Sequence, residues 1–203
     1  MEFLPKVLNE VVIKSKKKYQ FNSIIKRVFD IFISLFALVF FSPLMLSTWL
    51  ILIFETKSIG LFLQKRVGQY GKLFTIYKLK TIRSKGGTIS KVAFFCRKHK
   101  FDELPQFINV LKGEMSIVGP RPDIEGYYDK LEGEDRKILE LKPGITSIAS
   151  LKYYNEEEIL EQQENALRFN DTIIFPDKVK LNLDYYYNQS LSLDIKIIIK
   201  TIF

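Results

Sequence analysis

The hydrophobic pattern divides the chain at once. Residues 31–54 form a run of 24 positions without a charged side chain. A straight helix of that length would reach ~36 Å, enough to cross a hydrocarbon core of ~30 Å. Ser42-Pro43 interrupts the run near its middle. Proline has no backbone N–H, and its ring crowds the carbonyl four residues back, so the pair predicts a break or kink. Ser42 and Ser47 are placed to satisfy carbonyls freed at such a bend. The run lies too far from the N-terminus for a cleavable signal peptide, and no small-residue cleavage pattern follows it. By length alone, a single span and a re-entrant helix-break-helix both fit.

Beyond the run the periodicity changes. Residues 61–64 and 74–77 read as strands, and Gly68-Gln69-Tyr70-Gly71 reads as a turn between them, predicting a β-hairpin. Residues 85–88 form a loop, and 90–97 a short helix. Phe101, Leu104, Phe107, Ile108 and Leu111 recur at helical spacing, with Asp102-Glu103 near the start of the predicted helix and Lys112-Gly113 at its end. Gly119-Pro120-Arg121-Pro122 is a stiff loop. Residues 127–141 and 156–169 read as polar helices, Lys142-Pro143-Gly144 as a turn, and 178–203 as one or two helices. At the front, Val7, Leu8, Val11, Val12 and Ile13 outline an amphipathic face followed by Lys16-Lys17-Lys18.

Composition sharpens this picture. The 203 residues are 47% hydrophobic, too apolar for a disordered chain. One cysteine, Cys96, and one histidine, His99, exclude a disulfide framework and clustered Cys or His metal sites. Any metal must be held by oxygen, which points to Mg²⁺ or a similar hard cation. The formal charge of +8 is unevenly spread: +5 over residues 1–27, −2 over 28–55, +11 over 56–112 and −6 over 113–203. Basic residues flank the apolar run on both sides. The positive-inside rule places such flanks in the cytoplasm, so a segment that enters, bends at Ser42-Pro43 and returns satisfies it twice. The re-entrant arrangement is therefore preferred. A basic front half also suggests anionic partners such as lipid headgroups or phosphates. A nucleic-acid binder fits the charge but leaves the apolar run unexplained.

Asp102 and Glu103 are the only carboxylates among the thirteen basic residues of 56–112. An acidic pair also suits an ordinary helix start. In a positive field, however, a carboxylate is expected to stay ionised, ready to bind Mg²⁺ or to attack phosphorus. Neighbouring helical residues project ~100° apart, which implies separate tasks for the two. Arg121, fixed between prolines, offers a fork that matches phosphate oxygens.

The segment from Phe101-Asp102-Glu103-Leu104-Pro105-Gln106 through Asn109-Val110-Leu111-Lys112-Gly113-Glu114-Met115-Ser116-Ile117-Val118-Gly119-Pro120-Arg121-Pro122 resembles the signature of the bacterial sugar transferases, the monotopic polyprenyl-phosphate phosphoglycosyl transferases. Lys26-Arg27-Val28-Phe29-Asp30, Ser42-Pro43, Arg66-Val67-Gly68, Phe74-Thr75-Ile76-Tyr77-Lys78, Lys142-Pro143-Gly144-Ile145-Thr146 and Asp194-Ile195-Lys196-Ile197 extend the resemblance over roughly 22–203. The chain departs from the family pattern at Lys98-His99-Lys100, Glu114 and Ser147-Ile148-Ala149-Ser150.

The resemblance implies an α+β, mostly helical fold. Residues 1–20 would be an interfacial lead-in and 21–56 a re-entrant membrane hairpin. Residues 57–203 would form a small cytoplasmic catalytic domain with a short β-hairpin. It implies transfer of a phosphosugar from a nucleotide sugar, with uridine diphosphate the expected carrier, to undecaprenyl phosphate, initiating surface-glycan or glycoprotein-glycan synthesis. Asp102 would be the nucleophile and a Mg²⁺ ligand, and Glu103 its partner. Lys78, Arg97 and Arg121 would neutralise phosphates, and Ser42 and Pro43 would break the hairpin. The expected place is the bacterial inner membrane, catalytic domain on the cytoplasmic face. Expected partners are undecaprenyl phosphate, the nucleotide sugar and anionic lipids, with a homo-oligomer or downstream glycosyltransferases also admitted; nucleic acid is not expected. An inactive membrane adapter of a glycan assembly complex is the alternative.

Overall fold

The computed structural model describes residues 23–83 and 87–203. The lead-in expected over 1–20 lies outside the described residues, as does the first part of the 85–88 loop. The apolar run forms two helices, α1 (Ser23–Phe40) and α2 (Ser42–Thr56), bent by 61° at their junction. Proline sits in the first turn of α2, where the missing N–H costs the helix nothing. The carbonyl that Pro43 cannot bond is that of Val39, and the Ser42 hydroxyl donates to it at 2.8 Å. Ser47 likewise donates to the Leu44 carbonyl at 3.0 Å. Ser42 therefore does what its position predicted, whereas Ser47 bonds a carbonyl inside α2 that the break does not free.

The two helices bury small and polar residues and expose large apolar ones. Asp30, Ser34 and Ala37 face inward from α1, and Thr48, Leu52 and Thr56 from α2. Phe32, Phe36, Val39, Phe40, Leu46 and Phe54 are exposed. A water-soluble helix has the opposite arrangement. Among the described residues no single helix is long and apolar enough to cross a membrane; the bent pair passes by length and composition.

Both ends of the pair are fastened to one globular body. Near the start of α1, Lys26 pairs with the buried Asp194 at 2.6 Å, which also accepts from the Tyr185 hydroxyl at 2.6 Å. Arg27 donates to the carbonyls of Val110 and Leu111 at 2.6 and 2.8 Å, the negative end of a helix dipole. Asp30 accepts from the Ile117 N–H at 3.1 Å. At the far end Arg83 Nε donates to the Glu55 carbonyl at 2.8 Å, and Leu52 packs with Leu79 and Ala93.

In the body, β1 (Leu61–Val67) and β2 (Leu73–Leu79) form the predicted antiparallel hairpin, with Leu61 opposite Leu79 and Val67 opposite Leu73. Tyr70 and Gly71 turn the chain at positive φ. A second pair was not anticipated: β3 (Ser116–Val118) lies parallel to β4 (Gly144–Thr146). Gly144, read as part of a turn, thus begins a strand. α3 (Lys91–Lys98) and α4 (Gln106–Lys112) follow the hairpin. The short helices α5 (Ile148–Lys152), α6 (Glu156–Glu161) and α7 (Ala166–Phe169) follow β4. A single π-turn (Asn170–Ile174) leads into α8 (Phe175–Asn188), and α9 (Leu191–Ile202) closes the described chain. The main core joins Ile76, Val110, Met115, Ile117, Val118, Leu141, Tyr185 and Ile197.

The fold is mostly helical with a small hairpin sheet, but several expected helices are shorter or tighter. The stripe over 101–111 is interrupted: Phe101–Glu103 is a 3₁₀ turn, and α4 begins only after Pro105. Proline cannot continue a helix that would need its N–H, but it starts one well. The buried residues of α4 are Gln106, Asn109 and Val110, not the apolar stripe. Residues 127–141 hold two 3₁₀ segments separated by Gly133 at positive φ rather than one α-helix. The polar helix over 156–169 splits, because Asn165 caps a new start by accepting from the Arg168 N–H at 2.9 Å.

Candidate active site

Asp102 and Glu103 sit on the 3₁₀ turn between α3 and α4. Lys100 enters it in the left-handed conformation, φ +57°, and Pro105 leaves it. In so tight a turn successive side chains diverge by ~120°, so the two carboxylates point differently. Both are buried, at 0% and 5% exposure. Lys78, from β2, reaches both: its ammonium lies 3.0 Å from Asp102 Oδ2 and 3.2 Å from Glu103 Oε1. Arg121 Nη2 donates to Glu103 Oε1 at 2.7 Å.

Two devices hold these groups in register. The Asn109 amide, fully buried, accepts from the Tyr77 N–H at 3.1 Å and donates to the Thr75 carbonyl at 2.8 Å and Glu114 Oε2 at 2.7 Å. It ties α4 to β2 beside Lys78. The Arg121 loop is clamped to the second strand pair: Gly119 N–H donates to the Thr146 carbonyl at 3.0 Å, and Gly144 N–H to the Pro120 carbonyl at 2.8 Å. The stiffness expected from two prolines is thus completed by a partner strand.

The carboxylates differ in charge state. Burial alone would raise Glu103, but Arg121, Lys78 and Lys100 outweigh it and hold it at about 2. For Asp102 burial wins: it is raised above the ordinary value, with the Glu103 charge adding and Lys78 opposing only in part. The expectation that the positive field keeps both low is therefore corrected for Asp102. The basic residues crowd Glu103, whereas Asp102 is fully enclosed. Lys78 lies close, yet neither Asp102 oxygen takes part in a hydrogen bond of good geometry. A buried acceptor left so costs roughly 1–3 kcal/mol. Such a group is maintained by the surrounding fold and calls for a functional explanation.

Beside the pair opens a cavity of about 400 Å³, within the range of small-ligand sites. Among the described residues six basic side chains line it (Arg66, Lys78, Lys80, Arg83, Arg97 and Arg121), and Glu103 is the only lining carboxylate. That imbalance selects an anion. Of the predicted residues, Asp102, Glu103, Lys78 and Arg121 come together. Arg97 lines the same cavity, but its guanidinium donates to Glu157 at 2.7 Å across the mouth. Ser42 and Pro43 serve the helix break. Asn109, Gln106 and Arg66 were not singled out for the site; all fall inside motifs that carried the resemblance, but nothing local marks a polar residue as inward-facing. Cys96 is buried, as expected. His99 is exposed and rests against the Phe95 and Phe101 rings.

Among the described residues no group of three or more Asp, Glu, His or Cys could cage a metal. Mg²⁺ commonly binds through one or two carboxylates, with water and substrate phosphates completing its shell. Asp102 Oδ1, which has no hydrogen-bond partner among the described residues, fits such a single-carboxylate ligand, while Oδ2 is held by Lys78 at 3.0 Å.

The model of the bacterial sugar transferase family matches residues 21–203. The chain belongs to the bacterial sugar transferase family. Over 197 residues it is 34% identical to a UDP-N-acetylgalactosamine-undecaprenyl-phosphate N-acetylgalactosaminephosphotransferase of Aeromonas hydrophila, covering 88% of this chain and 43% of the relative. It is 34% identical over 189 residues to the uncharacterized sugar transferase EpsL of Bacillus subtilis, covering 88% of this chain and 86% of EpsL. It is 32% identical over 199 residues to the UDP-glucose:undecaprenyl-phosphate glucose-1-phosphate transferase of Escherichia coli, covering 90% of this chain and 40% of that protein. The chain thus spans under half of the two relatives whose names state a reaction, and most of EpsL. For a bacterial sugar transferase, a cationic cavity beside a buried carboxylate is the feature that needs a chemical account.

Proposed function

We propose that this protein transfers a sugar phosphate from a nucleoside diphosphate sugar to undecaprenyl phosphate, giving undecaprenyl-diphospho-sugar and a nucleoside monophosphate. The observation that carries the reading is Asp102: buried, ion-paired to Lys78 at 3.0 Å, and directly behind Lys78, Glu103 and Arg121, which line a cavity that favours anions. The names of the Aeromonas and E. coli relatives support the acceptor and the class of reaction.

In this reading an Asp102 oxygen attacks the sugar-bearing phosphorus. The bond from that phosphorus to the bridging oxygen breaks, and the nucleoside monophosphate leaves. An oxygen of the lipid phosphate then attacks the same phosphorus and releases the Asp102 carboxylate. Phosphoryl transfer asks mainly for positioning and charge neutralisation. Lys78 and Arg121 supply both. A carboxylate held at about 2 is a poor base, so the role of Glu103 is to fix Lys78 and Arg121 rather than to carry a proton. Asp102 would hold Mg²⁺, which neutralises phosphate charge when bound.

The bent helix pair supports a membrane-surface site. Its exposed residues are large and apolar, and both of its ends are fastened to the same body. A straight span would separate those ends by the bilayer. At ~1.5 Å per residue the arms are ~27 and ~22 Å long. Laid symmetrically on a surface with their 61° bend, they would dip about half-way into a ~30 Å core. Residues 21–56 then act as a re-entrant anchor and 57–203 as a catalytic domain on the cytoplasmic face of a bacterial inner membrane, held partly by anionic lipids. The flanking charge supports that orientation.

The test is a nucleotide-release screen: full chain in lipid nanodiscs, undecaprenyl phosphate, and a panel of UDP-sugars. Release of UMP with at least one donor, dependent on the lipid acceptor, is expected; none with any donor would leave the adapter reading. Topology is checked separately. Ile24→Cys and Lys65→Cys are expected to react with an impermeant maleimide from the same side of sealed vesicles, and opposite-side labelling would sink the re-entrant anchor.

A further inference from the structure

The cavity floor is one face of the β-hairpin. Side chains two apart on a strand share a face, so Phe62, Gln64 and Arg66 project together from β1, all three lining the cavity. Their cross-strand partners are Lys78, Ile76 and Phe74. The floor therefore runs ~13 Å from Phe62 to Arg66, four residues at ~3.3 Å each, with a cation at either end: Lys78 opposite Phe62, and Arg66 opposite Phe74. At one end Phe62 is exposed, beside Leu79 and Ile82, where α2 docks. At the other end Arg66 lies next to Pro122 and close enough to Arg121 and Glu103 to feel both charges. A cation at each end suits the two anionic substrates of the proposed reaction, and the added apolar groups near Phe62 suit one of them. One carries a long apolar chain and arrives along the anchor; the other is polar throughout and arrives from water.

Arg66 is only partly satisfied. Its Nη2 donates to Gln64 Oε1 at 2.7 Å, its Nη1 makes a long contact of 3.5 Å with the Pro122 carbonyl, and Asp123 stands 3.8 Å away. Its Nε–H is buried and has no acceptor. A buried orphan donor is rare in native proteins, and this one belongs to a guanidinium on the wall of a cavity already selective for anions. A guanidinium presents Nε–H and one Nη–H along one edge, the fork that matches two phosphate oxygens. Gln64 Oε1 already takes an Nη2 hydrogen, the neighbour of Nε–H, which limits rotation and leaves Nε–H as the open donor.

We infer that Arg66 is a binding residue for the diphosphate of the soluble donor, using its Nε–H beside Arg121 at the end of the cavity away from the anchor, with Gln64 as its positioning residue. The inference rests on the nucleoside diphosphate sugar reading above and adds the end of the cavity at which that substrate enters. Arg66 thereby affects the donor and not the lipid acceptor.

The experiment uses full-length protein in nanodiscs, with UDP and uridine as probes in calorimetry and with donor and acceptor varied separately in the release assay. Arg66→Gln is expected to weaken UDP binding by 10-fold or more, on the scale of a lost charge-assisted hydrogen bond, and to leave uridine binding unchanged. Arg66→Lys keeps the charge but has no Nε–H and is expected to remain impaired for UDP by at least about 5-fold. In both variants KM for the donor rises while KM for undecaprenyl phosphate stays within about 2-fold of wild type. If Arg66→Gln does not fold, as read by its thermal melt, Arg66→Lys decides alone. UDP binding at wild-type affinity in either folded variant, or an equal rise in both KM values, would overturn the assignment. UMP release by the wild type that is insensitive to Arg66→Lys defeats this inference and leaves the proposed reaction standing. Arg66-dependent UDP binding without UMP release from any donor does the reverse.

Discussion

Asp102→Asn is expected to abolish sugar-phosphate transfer, by ~10⁴-fold or more in rate, the scale of deleting a nucleophile. The replacement is nearly isosteric, and an amide oxygen cannot form the acyl phosphate that the proposed two-step reaction needs. The thermal midpoint is expected to hold or rise. Asp102 is fully buried, and neither oxygen accepts a hydrogen bond of good geometry, so its charge is a liability to the folded state rather than a support. Lys78 keeps Glu103 as its partner at 3.2 Å. Loss of function without loss of stability is the signature of a residue held for chemistry. Intact-protein mass spectrometry after mixing with donor alone gives a second readout. Wild type should gain the mass of one sugar phosphate, and Asp102→Asn none. Wild-type rates in the variant would remove Asp102 from the nucleophile role.

Gly144→Ala is expected to be the most damaging single methyl in the fold. A Cβ at residue 144 would lie 2.1 Å from the Gly119 nitrogen and 2.5 Å from the Gly119 oxygen. A Cβ at residue 119 would lie 2.2 Å from the Lys142 carbonyl oxygen. Backbone faces backbone there, with no flexible side chain to yield, so the strands must part. The same contact carries the hydrogen bonds that clamp the Arg121 loop. A cost of about 4 kcal/mol falls among the large effects seen for single substitutions. For a chain of this size that lowers the melting midpoint by roughly 8–16 °C. Transfer activity should fall with it even below the midpoint, because Arg121 moves away from Glu103. A variant that melts and turns over like wild type would show that the close approach is not needed.

These two positions mark different kinds of legibility. Asp102 stands out in the sequence because it and Glu103 are the only carboxylates in a strongly basic stretch, inside a segment that resembles a known signature. Gly144 looked like half of a Pro-Gly turn. Its neighbour across the fold, Gly119, is 25 positions earlier, and nothing local announces that two backbones meet. The same holds for Lys26 with Asp194 and for Asp30 with Ile117. The motifs were visible, but their pairing is a property of packing.

The sequence by itself determined the bent helix pair, because proline removes one defined hydrogen bond and Ser42 stands next to it to repair the loss. It also determined the hairpin, whose turn residues and alternation are local, and it singled out the adjacent carboxylates Asp102 and Glu103. The Pro105 break in the 101–111 stripe is local as well, whereas only the tertiary structure decided that Asn109 turns inward to lock α4 onto β2. Only it separated the two adjacent carboxylates into one held at about 2 and one raised by burial. The physical reason is range. Helix starts, breaks and turns are set by bonds within about four residues, whereas desolvation and charge pairing depend on which distant segments arrive. Asp102 and Glu103 are neighbours in sequence, but Lys78 and Arg121, brought from either side, both reach Glu103, whereas Asp102 has Lys78 alone and is fully enclosed.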